Sequence, residues 1–220
     1  MPSLLEANRK ALSEQLLAMA QAGIQQVHVD IMDGKFVPLA SSGIDEVRQL
    51  KNMTSLGLDV HLMVETPADW IEPMIEAGVD SVVFHVEACS DLYEVERLLK
   101  EIHFRGCEAG FAFNPETEPE NIPEDVIKNA DKILVMSVNP GRKGQTFRQE
   151  TFSRIRKIRR RIKDTVSIEV DGGITDDNIY DVFRNGADRV VIGRALFQPD
   201  FQYNLRKFSE LMNIITKSDG

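Results

Sequence analysis

The chain has 220 residues and 42% hydrophobic content, enough for one substantial core but short of two comfortable domains, so residues 1–220 are expected to form one domain. Its formal net charge of -9 excludes a broad electrostatic attraction to nucleic acid or anionic membrane, since both carry the same sign. Cys89 and Cys107 form no C-x-x-C pattern, no apolar leader follows Met1, and no apolar run approaches the length of a bilayer span. The expectation is a soluble, cytoplasmic protein.

Eight strands are predicted, near residues 2–5, 25–30, 58–63, 81–86, 108–113, 132–136, 167–170 and 189–192. Helical periodicity separates them, as with Leu12, Leu16 and Met19, or Phe152, Ile155, Ile158 and Ile162. One unit recurs: AGIQQVHVD, AGVDSVVFH, NADKILVMS and NGADRVVIG each pair a helix-ending small residue with a β-branched run, the pattern of a buried parallel strand. Strict alternation predicts a parallel sheet with crossover helices, and eight units suggest a closed barrel. A doubly wound open sheet is the runner-up. The longest linker is the polar, proline-bearing stretch 116–125, and the amphipathic segment 201–215 suits an outer helix or a dimer face.

Polar residues interrupt the apolar runs at informative places. His28 and Asp30 are two apart on one strand, so both leave the same face; His61 lies late in the third strand, and Asp171 follows the seventh. A barrel does chemistry where strands end. A lone histidine in an apolar strand more often packs as core, but buried aspartates need a partner. One divalent cation held by His28, Asp30, His61 and Asp171 satisfies all four, and the nitrogen and oxygen donors suit zinc, with iron, manganese or cobalt as alternatives. Asp33, past the strand in IMDG, fits a turn instead. Met32, Met63 and Met136 fall at or beyond strand ends, as core filling or as an apolar ring over the site. Glycine-bearing turns follow the sixth, seventh and eighth strands: NPGRKGQ, DGG and GRA. Bare backbone N–H groups there suit an anion, with charge added by Arg142, Lys143 and Arg194.

HVDIMDGKFVP, DVHLMVETP, LVMSVNPGRKGQTF and IEVDGGI together resemble the motifs of the ribulose-phosphate 3-epimerase family and its relatives acting on ketohexose phosphates. The resemblance runs from Pro2 through Phe197. It implies a single (β/α)8 TIM barrel of the ribulose-phosphate binding type, with one divalent metal on the four residues named above. It implies that Asp30 and Asp171 are the catalytic acid/base pair, that Ser3 contacts the substrate or site water, and that Met32, Met63 and Met136 cap the site. Phosphate contacts carry over to Gly141, Arg142, Lys143, Gly144, Gly172, Gly173, Gly193 and Arg194, and His61 also faces the substrate. The implied partner is a small phosphorylated sugar, and the implied assembly a homo-oligomer, dimer or hexamer.

The departures lie in the loops. The family usually has His at Lys35, Asn at Leu39, G-F-G-G where this chain reads Gly141-Arg142-Lys143-Gly144, and Ser at Arg194. The reaction type follows from the unchanged ligands, whereas allulose 6-phosphate or another ketose phosphate stands beside ribulose 5-phosphate as substrate. A related sugar-phosphate decarboxylase or synthase carries D-x-K-x-x-D, absent from Asp30-Ile31-Met32-Asp33. A non-catalytic phospho-sugar-binding protein is the remaining alternative.

Overall fold

The computed structural model describes residues 1–41, 43–162 and 165–218. Seven parallel strands follow one another in chain order: β1 (Gln26–Met32), β2 (Gly57–Met63), β3 (Ser81–His85), β4 (Glu108–Phe113), β5 (Lys132–Met136), β6 (Ser167–Asp171) and β7 (Arg189–Val191). Before, between and after them run α1 (Leu12–Gln21), α2 (Ile44–Met53), α3 (Ala68–Glu76), α4 (Leu92–Phe104), α5 (Glu124–Lys128), α6 (Glu150–Arg159), α7 (Ile179–Arg184), α8 (Arg194–Phe197) and α9 (Phe201–Ser218).

The amino-terminal residues stand between β7 and β1. Pro2 bridges Ile192 and Ser3 bridges His28, both in parallel, through Ser3 N–H to Ile192 O at 3.0 Å and His28 N–H to Pro2 O at 2.7 Å. The result is a nearly closed (β/α) TIM barrel, which excludes the open sheet. The first predicted strand is thereby corrected: pairing stops after Ser3, and Leu4–Glu6 turns into a 3-10 helix whose first N–H groups include one bonded to the Ser3 hydroxyl. A serine side chain offering that local bond competes with continuation of the ladder. The third-to-sixth predicted strands keep their places, while β1 runs two residues further than expected, to Met32.

Alternation along the strands builds two environments. Val27, Val29 and Ile31 of β1 and Leu58, Val60 and Leu62 of β2 join Leu16, Met19, Val47, Leu50, Ile71 and Leu98 from the helices in one apolar cluster. The intervening residues His28, Asp30, Asp59 and His61 turn into the barrel and are buried there, with Lys132 and Glu169. A smaller plug of Val83, Ala112, Leu134, Met136, Val138 and Val191 fills the rest. Gly110 makes room for this arrangement: a Cβ there would come 2.7 Å from Lys132 Cγ.

The stretch 116–125 is not bare loop. It holds a 3-10 turn, Pro119–Asn121, and enters α5, while Arg154 of α6 donates to the carbonyls of Asn114 and Thr117 at 2.7 Å each and to that of Pro115. The outer segment 201–215 forms most of α9 and buries Leu205, Phe208 and Ile215. Among the described residues no helix is long and apolar enough to cross a membrane.

Candidate functional site

Parallel register brings the four candidate ligands to one end of the barrel. Asp30 pairs with His61 across β1 and β2, and Met136 with Asp171 across β5 and β6. One donor atom from each of His28, Asp30, His61 and Asp171 lies within 4.8 Å of all the others. Asp30 Oδ1 is 3.5 Å from His28 Nε2 and 3.4 Å from His61 Nδ1. Donors about 2.1 Å from a shared cation at tetrahedral angles stand roughly 3.4 Å apart, so these edges fit. A second observation agrees: His28 Nε2 and His61 Nδ1 are buried without a hydrogen-bond partner. Two such nitrogens, aimed with two carboxylates at one point, suit a divalent cation better than any internal hydrogen bond.

The charges around the point are unequal. Burial would raise Asp30, but His28 and His61 outweigh it and hold the carboxyl far below its ordinary range. Asp171 lacks that compensation. Burial first, and then the Asp30 charge, push it up to about 7 against the pull of His28. Burial would lower His28, yet Asp30 and Asp59 together raise it well above its usual value, a sign that the field here favours positive charge. Burial, helped by His85 and His28, brings His61 down to about 4, leaving a neutral ring able to ligate. The Ser3 hydroxyl donates to Asp30 Oδ2 at 2.8 Å.

A cavity of about 730 Å³ opens over this cluster. Ser3, Asp30, Met63, Met136 and Asp171 line its inner end; Gly141 through Gly144, Gly172, Gly173, Gly193 and Arg194 line the other. Shape requires glycine at several of these positions. Gly141 and Gly173 have φ of 67° and 63°, and a Cβ on them would overlap Val37 and the Phe147 backbone nitrogen respectively, so the backbone stays open for an anion. Lys143 reaches Glu6 Oε1 at 3.2 Å and Leu5 O at 3.3 Å, tying the glycine turn to the amino-terminal 3-10 helix.

Other expected residues stand apart. Met32 does not line this cavity and instead packs with Val37 and Met63. Lys35, 70% exposed in its side chain, lies 3.9 Å from Glu65 Oε2 and lines a separate depression; Leu39 is surface-exposed. Asp33 takes the turn role, accepting from the N–H groups of Lys35, Phe36 and Glu65 at 2.7–2.9 Å.

Sequence reasoning missed a supporting layer beneath the cluster. Asp59 Oδ2 is 2.7 Å from His28 Nδ1, fixing the ring so that Nε2 faces the site. Lys132 pairs with Asp59 and lies 3.6 Å and 3.7 Å from Glu108 and Glu169. Burial would raise Asp59 and lower Lys132, but each holds the other charged, while burial leaves Glu169 raised. The signal was available: Asp59 precedes His61 by two residues, as Glu169 precedes Asp171, the spacing that marked His28 and Asp30.

Comparisons with known proteins bear on the family and the fold. The model of the ribulose-phosphate 3 epimerase family matches residues 1–197. The ribulose-phosphate 3-epimerase of Aquifex aeolicus is 37% identical over 96% of this chain and 95% of its own length; that of Escherichia coli is 40% identical over 91% and 90%. The chloroplastic ribulose-5-phosphate-3-epimerase of Arabidopsis thaliana is 40% identical over 89% of this chain and 70% of its own. Among solved structures, 3-keto-L-gulonate-6-phosphate decarboxylase from Vibrio cholerae superposes with a TM-score of 0.70 at 14% identity, covering 97% of this chain and 96% of that one. A 3-hexulose-6-phosphate synthase gives 0.68 at 14%, covering 96% and 95%. At that identity the two structures speak for the barrel alone. The chain belongs to the ribulose-phosphate 3-epimerase family of isomerases.

Proposed function

We propose that this protein inverts carbon 3 of a ketose phosphate, interconverting D-ribulose 5-phosphate and D-xylulose 5-phosphate, with Asp30 and Asp171 as the two acid/base groups. Family membership supports the reaction. The observation that carries the residue assignment is geometric: two carboxyl groups, Asp30 from β1 and Asp171 from β6, face the same end of one cavity. That is what inversion requires. A proton leaves carbon 3 toward one carboxylate, and another returns from the opposite face from a carboxylic acid; a single base would restore the starting stereoisomer. Asp30 and Asp171 come from β1 and β6, with β7 and the amino-terminal bridge between them, so the sugar can lie between the two groups. In one direction Asp30 accepts and Asp171 donates, and the reverse reaction exchanges the roles.

His28, Asp30, His61 and Asp171 would hold one divalent metal ion, zinc by preference, which would supply a Lewis acid for the negative charge that develops on the substrate oxygens. Ser3 holds Asp30 Oδ2 and orients that carboxylate toward the cavity. Met63 and Met136 keep the inner end apolar, and the glycine turns take the phosphate through backbone N–H groups. We read residues 1–220 as one barrel domain that works as a homo-oligomer in the cytoplasm.

A ketohexose phosphate such as allulose 6-phosphate is the second reading, favoured by Arg142, Lys143 and Arg194, all of which line the cavity. Incubating metal-replete protein with pentulose and hexulose phosphates in deuterated solvent tests both. Carbon-3 exchange and epimeric product are expected; product from the hexulose alone moves the assignment to the second reading, and absence of exchange with every ketose phosphate overturns the epimerase reading.

A further inference from the structure

Two imidazoles meet beside the site. His61 Nε2 lies 2.9 Å from His85 Nε2, with ring planes 25° apart and centroids 5.0 Å apart. That centroid distance is close to the N···N distance plus two ring radii, so the rings meet edge to edge in a hydrogen bond. The far nitrogen of His85, Nδ1, is 3.2 Å from Glu87 Oε2. Glu87 Oε1 is held independently, by the Asn114 backbone N–H at 2.7 Å and by the Thr117 hydroxyl. Both histidines are wholly buried.

With both rings neutral, only one placement of protons satisfies this chain. A carboxylate accepts and cannot donate, so His85 carries its proton on Nδ1. Its Nε2 is then bare, and two lone pairs cannot face each other at 2.9 Å. His61 must therefore carry its proton on Nε2. Its Nδ1 is left bare, and that is the orphaned atom 3.4 Å from Asp30 Oδ1.

We infer that His85 and Glu87 are positioning residues: Glu87, acting through His85, selects the His61 tautomer whose Nδ1 lone pair faces the metal site. The inference rests on the metal reading above, and it assigns to the loops after β3 and β4 a part in ion affinity although neither contributes a ligand. Hydrogen-bonded outer partners of this kind typically govern 10- to 100-fold in metal affinity.

Glu87→Gln reverses the polarity of the chain. The amide oxygen must stay on the Asn114 and Thr117 donors, which turns the NH2 toward His85 Nδ1. His85 then carries its proton on Nε2, and His61 is driven to the Nδ1–H form, a poor ligand. The test combines nitrogen-15 NMR of the histidine rings, with zinc bound and after chelation, with chelator competition for Zn²⁺ and Mn²⁺. In the unmodified protein the chelated form is expected to show His61 protonated at Nε2 and His85 at Nδ1. Glu87→Gln is expected to switch both tautomers and weaken either ion about 10- to 100-fold. Protonation of His61 at Nδ1 in the unmodified chain overturns the inference, and so does Zn²⁺ affinity within twofold after Glu87→Gln. Weaker binding with the tautomers unchanged overturns it too, since the substitution then acts through packing. An unmodified protein that binds neither ion refutes the metal reading, while its ring tautomers still decide the relay.

Discussion

The two faces of the barrel strands are stabilised by opposite means. On β5, Ile133 and Val135 point outward into the apolar layer shared with the helices, where stability comes from area removed from water and from close packing. Lys132, the inward neighbour of Ile133, sits fully buried among Asp59, Glu108 and Glu169. Barrel interiors of this class are more often filled with branched apolar side chains. The polar filling costs desolvation and contributes little net stability of its own. What it provides is orientation: the charges under the site fix His28 through Asp59 and keep the inner end of the cavity receptive to a cation.

The sharpest break of this contrast is at the site. Asp171→Asn removes one of the two proposed proton-transfer groups, and turnover is expected to fall about 10²- to 10⁴-fold; a coupled assay of ketose-phosphate epimerisation reads it, and near-normal turnover sinks the two-carboxylate assignment. Lys132→Met comes next. It strands Asp59 and Glu169 without their cation and is expected to cost about 3–5 kcal/mol in urea unfolding; a loss under 1 kcal/mol would mean the interior charges are solvated.

The third prediction concerns pH. The fold raises Asp171 to about 7 from 3.8, so it favours the neutral carboxyl. The associated stability is complete below pH 3.8 and is lost as pH rises through 7. In metal-free protein Asp171→Asn should therefore stabilise at pH 8, by at most about 4 kcal/mol, with the difference closing toward pH 4. Thermal melts at the two pH values check the sign, and equal shifts at both would contradict it. The smallest effect belongs to the outer face. Ile133→Val, one position from Lys132, deletes a single buried methylene and is expected to cost about 0.5–1.5 kcal/mol with turnover unchanged.

Legibility followed the same division. The outer face was readable because runs such as VVF and ILV carry their own pattern, and strand-helix alternation leaves few topologies. The four candidate ligands were readable because each interrupts such a run near a strand's end. Lys132 was not, since a lysine opening a strand reads as a solvated edge; only the partners brought by β2, β4 and β6 make its burial tolerable. His85 and Glu87 were passed over for a similar reason. Their roles depend on His61, 24 residues from His85 in the chain, and no local spacing links them. Met32 was grouped with Met63 and Met136 by its position in the sequence; it packs with Val37 and Met63, but only Met63 and Met136 line the cavity.

By itself, then, the sequence determined the strand order, the outward apolar faces and the four polar interruptions at strand ends, because each depends on period, propensity and neighbours within a few residues. Only the tertiary structure decided how the barrel closes, which it does through a two-residue bridge at Pro2 and Ser3, since the Ser3 hydroxyl turns the chain before a full strand can form. It also decided which buried charges meet and which histidine nitrogen faces the site. Those outcomes depend on distances between residues far apart in the chain, and on the low-dielectric interior in which a charge or lone pair must find its partner.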